Sequence, residues 1–146
     1  MSTDCFVDTN ILVYFRDASE TPKQKMAHRW LTLLWESKRG RLSFQVLNEY
    51  YVTVTQKLDP GLDPKEARAD VRSLMAWNPL EVDRLVIEGA WTVQDRYKLS
   101  WWDSLIISAA QKAGCDFLLT EDLQHKQELD GITVINPFIV PPEDIL

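Results

Sequence analysis

The chain of 146 residues carries a net charge of −6 at neutral pH, with 45% hydrophobic and 26% charged residues. This balance is typical of a soluble globular protein, and the lack of any run of 18 apolar residues argues against a transmembrane helix. The negative charge argues against a protein that coats nucleic acid non-specifically. Asp4 and Asp8 interrupt the N-terminus and argue against a secretory signal. We therefore expect a cytoplasmic protein with one domain over residues 1–146, in which Cys5 and Cys115 are reduced core residues.

The first half of the chain predicts one strand followed by helices. Pro22 suits the first turn of the second helix, and Gly40 fits its C-terminal cap. Asp63 as a cap, Pro64 and the box partner Glu66 mark the start of a later helix. The predicted elements are a strand at 4–8, helices at 10–15 and 22–39, a short strand at 41–44, a helix at 45–58, a loop at 59–64 and a helix from residue 64 onward.

The second half of the chain alternates strands with helices. Asp83 is expected to cap one helix and Gly114 to end the next. The predicted elements are a strand at 79–83, helices at 84–98 and 102–113, a buried strand at 116–119, a short polar helix at 121–129 and a strand at 132–135. This order predicts an α/β fold whose parallel sheet is covered by helices on both faces. In such sheets ligands bind beyond the carboxyl ends of the strands.

Four acidic residues lie where their neighbours are apolar or where a strand has just ended. Asp8 ends the first strand, and Asp122 follows the buried strand at 116–119. Glu49 borders a buried helical face, and Asp103 lies in the cap or first turn of a very apolar helix. Each alone has an ordinary alternative, since Asp103 and Asp122 suit helix caps and Glu49 suits a surface position. Asp8 alone favours a ligand site, because it lies at a strand end.

Taken together, the four acids explain one another. If they converge at one end of the sheet, their repulsion is prohibitive without a cation. Carboxylates without paired histidine or cysteine favour Mg²⁺ or Mn²⁺ over zinc, and His28 and His125 are expected on the surface. Such ions support phosphoryl transfer to water. Four polar residues are candidates to orient ligands or waters: Thr9, Asn10, Ser104 and Thr120. For Thr9 and Ser104, plain turn and cap roles are favoured.

Four stretches of the chain carry a family resemblance. "FVDTNILVY", "VLNEYY", "LSWWDSLIISAAQKAGCDFLLTEDLQH" and "GITVINPF" closely resemble the PIN-domain family, specifically toxins of the VapC type, in order and over nearly the whole chain. The resemblance implies a three-layer α/β/α fold and a Mg²⁺- or Mn²⁺-dependent endoribonuclease that acts as the toxin of a toxin–antitoxin pair. It also implies a homodimer and a small antitoxin whose tail lies over the active site.

The resemblance also assigns residues. The catalytic and metal-binding quartet carried over by position is Asp8, Glu49, Asp103 and Asp122, with Asn10 and Thr120 as polar supports. Asp122 is chosen over Glu121 because the family pattern places the acid two residues after the threonine. Lys126 stands where many relatives have glycine, which affects only the local shape of the predicted helix there.

A basic segment and several tryptophans bear on partners. From residue 21 to 41 there are six basic residues against one acid, a local charge of +5. Lys38, Arg39 and Arg41 are candidates for a rim that delivers RNA to the acids, and a solvated helix face is the equal alternative. Two of the six tryptophans, Trp30 and Trp35, lie on the same helix and suggest an apolar groove for an antitoxin helix, with core packing as the alternative.

The residues argue against two competing enzyme classes and leave one binding class as an alternative. Phosphoacceptor domains need a second acid beside the first and a lysine near the last strand. This chain has "DTN" at the first position, with no second acid, and "GITVINPF" at the last strand, with no lysine. Haloacid-type phosphatases need an acid where this chain has Asn10. The more serious alternative is a non-catalytic PIN-like module that binds RNA or a partner protein, because the sequence does not show that the acids converge.

Overall fold

A five-stranded sheet organises the protein, whose computed structural model describes residues 4–146. The strands are β1 (Cys5–Val7), β2 (Gly40–Arg41), β3 (Phe117–Leu119), β4 (Glu128–Leu129) and β5 (Ile132–Ile135). Their order in the sheet is β2-β1-β3-β5-β4, and all neighbours are parallel except the β4–β5 pair. The predicted mainly parallel sheet is confirmed, with an antiparallel strand at one edge.

Among residues 4–146, six α-helices form the two outer layers. They are α1 (Thr9–Arg16), α2 (Thr21–Ser37), α3 (Phe44–Val52), α4 (Pro64–Leu74), α5 (Arg84–Tyr97) and α6 (Trp101–Lys112). Helix α1 packs on α2 and α3, α3 packs on α4, and α5 packs on α6, which in turn covers β3 and β5. The predicted three-layer α/β/α arrangement is confirmed. Within residues 4–146, no helix combines the length and the apolar character needed to cross a membrane.

The core lies between the sheet and its helices. All three residues of β1 are fully buried, as are Leu118 and Leu119 of β3. Trp30 is also fully buried, and its indole N–H donates to the carbonyl oxygens of Pro137 and Val140 near the C-terminus. Cys5 and Cys115 are buried thiols, as predicted. Burial raises the pKa of Cys115 to about 12 and raises that of Cys5 further, so both stay protonated at neutral pH.

Helix α2 ends earlier than predicted. Its last residue is Ser37, and Lys38 adopts the left-handed conformation (φ 59°) that closes the helix. Gly40, predicted as the cap, instead lies in β2. A Cβ atom at Gly40 would lie 2.7 Å from the ring of Trp77, so glycine is needed there for close approach of the ring.

Three further predictions of secondary structure differ from the structure. Residues 79–83 form no strand; they contribute one isolated bridge between Leu80 and Ser43, and Asp83 caps α5 as predicted. Residues 121–129 form turns and then β4, with no helix. Lys126 adopts φ 69° there, and its amide donates to the carbonyl of Val134 on β5. Helix 45–58 is also divided, because α3 is followed by a π-helical turn over Thr53–Lys57.

Candidate active site

The sheet register brings the residue after β1 beside the residue after β3. Val7 pairs with Leu119, so Asp8 and Thr120 leave the sheet together at its carboxyl edge. The Thr120 hydroxyl donates to Asp8 Oδ2 at 2.9 Å, and the Thr9 amide donates to Asp8 Oδ1 at 2.7 Å. Both oxygens of this buried carboxylate are therefore fixed by groups of the protein. Asp8 also caps helix α1.

Glu49 reaches the same edge from helix α3. The Thr9 hydroxyl donates to its Oε2 at 2.9 Å, and the Gln45 side-chain amide donates to its Oε1 at 3.0 Å. Gln45 lies one helical turn before Glu49, which places the two side chains on the same side of α3. Thr9, for which a turn role was favoured, therefore contacts two of the four acids, one through its amide and one through its hydroxyl.

Asp103 lies in the first turn of α6. Ser100 is the N-cap, because its hydroxyl accepts a hydrogen bond from the Asp103 amide at 3.1 Å. The Asp103 carboxylate therefore does not cap the helix. Ser104, for which a cap role was favoured, instead lies buried inside α6, where its hydroxyl donates to the Ser100 carbonyl at 2.8 Å.

Asp122 follows β3 and is tied to the other acids through an amide. Asn10 Nδ2 donates to Asp122 Oδ2 at 2.9 Å and to Thr120 Oγ1 at 3.2 Å. The Asp122 amide also donates to Thr120 Oγ1, at 3.1 Å. The neighbouring acid Glu121 takes another direction, because it accepts from Tyr14 and forms an ion pair with Lys23 at 2.8 Å. The structure thus ties Asp122 to the other acids and Glu121 to Lys23, and the choice of Asp122 as a site residue stays a prediction.

The four acids line one cavity of about 390 Å³. Burial is the main factor that raises the pKa of Asp8 to about 6; hydrogen bonds from Thr120 and Thr9 lower it, and the charges of Asp122 and Glu49 raise it. Burial and the charge of Asp122 raise the pKa of Asp103, against a hydrogen bond with Ser100. The acids are thus close enough to affect one another's ionisation.

The donor set fits a hard divalent cation. Carboxylate and amide oxygens are the ligands that Mg²⁺ and Mn²⁺ prefer. Two amide oxygens on this cavity, Asn10 Oδ1 and Gln45 Oε1, are buried and lack a hydrogen-bond partner in the described part of the chain. As the side chains stand, however, no three His, Cys, Asp or Glu residues among residues 4–146 are grouped closely enough to hold one ion. Binding would therefore require the carboxylates to move inward, and Asp122 is exposed and so least hindered.

The predicted RNA rim lies elsewhere. Gly40 pairs with Cys5 at the start of β1, so Lys38 and Arg39 lie at the amino edge of the sheet, opposite the acids. Arg41 donates to the carbonyl oxygens of Ala113 and Asn78, which close neighbouring helices. The structure does not bring these three basic residues to the acidic cavity, and their role in binding RNA stays a prediction.

The structure adds residues that the sequence reasoning missed. Asp17, Gln45 and Trp102 line the acidic cavity together with the predicted acids. Asp17 follows α1, where its carboxylate accepts hydrogen bonds from Ser19. A signal for Gln45 existed in its spacing of four residues from Glu49. No comparable signal marked Asp17, because only the packing of α1 shows that it faces the cavity.

Comparisons with known proteins agree with this architecture. A family model described as "PIN domain" matches residues 5–127. A toxin-antitoxin complex from Klebsiella pneumoniae aligns with a TM-score of 0.60 and 19% identity, covering 92% of this chain and 98% of that chain. VapC20 from Mycobacterium tuberculosis, described as a Sarcin-Ricin loop cleaving toxin, aligns with a TM-score of 0.60 and 20% identity over 82% and 90% of the two chains.

A third structure, DNA bound VapBC from Salmonella typhimurium, aligns with a TM-score of 0.63 and 16% identity over 92% of this chain and 97% of that chain. At these identities the likeness is one of fold. No curated protein sequence matches the chain.

Proposed function

Because the chain belongs to the PIN domain family, we propose that it is a Mg²⁺- or Mn²⁺-dependent endoribonuclease and the toxin of a toxin–antitoxin pair. The observation that carries the proposal is the meeting of Asp8, Glu49, Asp103 and Asp122 around one cavity at the carboxyl edge of a parallel sheet. The likeness of fold to VapC20, which is described as cleaving the Sarcin-Ricin loop, supports RNA as the substrate class.

The four carboxylates are the residues that would hold the cation, with the Asn10 and Gln45 amide oxygens as neutral donors beside them. A divalent ion supplies a water of lowered pKa and charge stabilisation at a scissile phosphate. A bound cation would account for the buried carboxylate at Asp8, because its positive charge would offset the free-energy cost of burying the negative charge.

The neutral polar residues orient the acids. Thr120 donates to Asp8 and accepts from Asn10, so one hydroxyl links two strand ends. Thr9 and Gln45 hold the two oxygens of Glu49. These hydrogen bonds limit the directions in which the carboxylates can turn.

Replacing Asp8 by Asn tests the proposed activity. The variant keeps the shape of the side chain but loses a charge, and we expect RNA cleavage in Mn²⁺ to fall by at least about 100-fold. Asp95→Asn, at an exposed acid on α5, is the matched control and should cleave like the wild type. Circular dichroism checks that both variants fold. Undiminished cleavage by a folded Asp8→Asn protein contradicts the assignment.

A non-catalytic PIN-like module is the second candidate. It is favoured by the spacing of the acids, since no three of them within residues 4–146 are grouped tightly enough for one ion as they stand. That candidate predicts RNA or protein binding by the wild type without cleavage at any Mg²⁺ or Mn²⁺ concentration.

The proposed partner is a small antitoxin, and a groove on the helical layer suits one of its helices. A cavity of about 360 Å³ lies among α1, α2 and α4, and its apolar lining includes Phe15, Leu31, Trp35, Leu74 and Trp77. Trp35 is 47% exposed there, in contrast to the buried Trp30. An amphipathic helix that fills such a groove covers these rings.

We place the protein in the cytoplasm as a homodimer, as the VapC-type resemblance implies. Light scattering of the purified chain tests the dimer, and a monomeric mass at micromolar concentration would contradict it.

A further inference from the structure

One large apolar side chain stands beside the acidic cavity. Trp102 lies next to Asp103 in the first turn of α6, lines the cavity and is 62% exposed. Its neighbour Trp101 is partly buried and packs against the core. Within residues 4–146, no aromatic ring or cationic group is stacked on the Trp102 indole. Most of the Trp102 side chain is therefore exposed, at the edge of the cavity.

The charges around this cavity limit how it can hold RNA. Among the described residues that line it, five are acidic and none is lysine, arginine or histidine: the acids are Asp8, Asp17, Glu49, Asp103 and Asp122. Lys23, which lies over the ring of the lining residue Tyr14, is already paired with Glu121. Cationic side chains at the cavity therefore contribute little attraction for phosphates. A contact that does not depend on a charged side chain would therefore help to hold a nucleotide there, beside any divalent ion that the acids bind.

The cavity also has an apolar wall. Ile106 lies one helical turn after Trp102 on the same side of α6, and Val13 lines the cavity from α1. A nucleobase is flat, largely apolar on its faces and carries no charge, so it suits such a wall. Aromatic side chains that stack on bases hold single strands in this way.

We propose that Trp102 is a stacking platform for one unpaired RNA base beside the acidic cavity. This inference rests on the proposed function, and it narrows the substrate to RNA with an unpaired nucleotide at the cleavage site. Bases inside a duplex are stacked on both faces and cannot pack against the indole unless they leave the helix. Stacking is also tolerant of sequence, because every base has a π-face.

The chain offers a matched control for this ring. Trp91 on α5 is 53% exposed, similar to Trp102, but does not line the acidic cavity. Isolated exposed apolar residues are common on protein surfaces, so a general effect of removing an exposed indole must be separated from a specific one. The pair Trp102→Ala and Trp91→Ala makes that separation, and Trp102→Phe retains an aromatic face.

The experiment measures binding of a fluorescein-labelled eight-nucleotide RNA of mixed sequence by fluorescence anisotropy, in Ca²⁺ to slow cleavage. We expect Trp102→Ala to weaken binding roughly 5- to 150-fold, the change equivalent to the loss of one stacked base. Trp102→Phe should retain most of the affinity, and Trp91→Ala should match the wild type. A duplex of the same sequence should bind more weakly than the single strand and be insensitive to Trp102→Ala.

Two results overturn the proposal. One is equal affinity of the wild type, Trp102→Ala and Trp91→Ala proteins for the single strand. The other is unchanged RNA affinity in Trp102→Ala together with a loss of dimer mass in light scattering, which assigns the ring to contact between two copies of the chain.

Cleavage of the same RNA in Mg²⁺ or Mn²⁺ separates this proposal from the proposed function. A wild-type protein that binds through Trp102 but never cleaves contradicts the nuclease and supports the stacking platform. A protein that cleaves, but whose RNA affinity does not depend on Trp102, contradicts the stacking platform alone.

Discussion

At the scale of single residues, Asp8 carries the largest electrostatic strain of the candidate site. Burial raises its pKa to about 6 from an ordinary value of 3.8, despite hydrogen bonds from Thr120 and Thr9 that favour the charged form. A protein without a cationic partner at this position therefore bears an unfavourable charge at neutral pH. The folded state tolerates this charge because the rest of the core stabilises it.

The strain at Asp8 makes a prediction about pH. The folded pKa lies above the unfolded one, so the folded state binds more protons between about pH 4 and 6. Ionisation of Asp8 therefore lowers the free energy of unfolding as the pH rises through that window, by about 3 kcal/mol at most. Below pH 4 this penalty is absent. Urea unfolding in EDTA at pH 4.5 and pH 7.5 measures it.

Asp8→Asn is the variant to compare. We expect the free energy of unfolding of Asp8→Asn, minus that of the wild type, to be larger at pH 7.5 than at pH 4.5. For Asp95→Asn, this difference should be the same at both pH values. A difference between wild type and Asp8→Asn that stays constant with pH would contradict the raised pKa.

At the scale of elements, the turn after α4 packs against the edge strand β2 through Trp77 and Gly40. The Trp77 ring approaches Gly40 so closely that any Cβ there would meet it. Trp35 lies beside Trp77, with ring centroids 6.0 Å apart, so this contact also shapes the groove proposed for the antitoxin. A change at Gly40 therefore affects both the sheet edge and the groove.

Gly40→Ala is expected to lower the free energy of unfolding by about 1–3 kcal/mol through overpacking against the ring. Trp77→Phe removes the ring atoms concerned. In the double variant, the loss of stability should therefore be smaller than the sum of the two single losses. Chemical denaturation of the four proteins gives the coupling. Strict additivity would show that the ring can move aside without loss.

The helices were predictable because their signals are local. Asp63 and Asp83 cap α4 and α5 as expected, and apolar spacing located the remaining helices to within a few residues. Local signals misled where tertiary pairing decides the outcome. The polar segment at 121–129 has helical composition, but its second half pairs with β5, and the chain turns through Lys126 at a positive φ.

The candidate site was predictable in part for a similar reason. Strand ends in a parallel sheet must meet, so Asp8 and Thr120 could be paired from the order of elements. Glu49 and Asp103 come from helices, and the family resemblance supplied what periodicity alone left open. Trp102 and Asp17 could not be assigned, since lining a cavity depends on how α6 and α1 pack and leaves no mark in the local sequence.

At the scale of the whole molecule, charge is distributed unevenly. The net charge is −6. The acidic residues of the candidate site lie at the carboxyl edge of the sheet, and Lys38 and Arg39 lie at the amino edge. An RNA that contacts both edges must extend past the three-residue strand β1, a distance of about 10 Å. The basic segment can therefore assist only RNA longer than the few nucleotides that fill the cavity.

Reversing two of these charges tests the segment. We expect Lys38→Glu with Arg39→Glu to weaken binding of a 30-nucleotide RNA hairpin and to leave Mn²⁺ binding unchanged. Arg41 is left in place because its guanidinium supports two helix ends. Lys57→Glu with Lys65→Glu makes the same change of net charge at exposed sites and is the control. Equal affinities of the two double variants for the hairpin would remove the RNA rim.

Calorimetric titration of Mn²⁺ into the purified protein tests the central claim most directly, because it asks whether the acids hold a cation without requiring the target RNA. The account predicts that the wild type and Asp95→Asn bind Mn²⁺, and that Asp8→Asn loses binding by at least about 100-fold. No binding by the wild type, or equal binding by Asp8→Asn, would contradict a metal centre at Asp8 and favour the non-catalytic module.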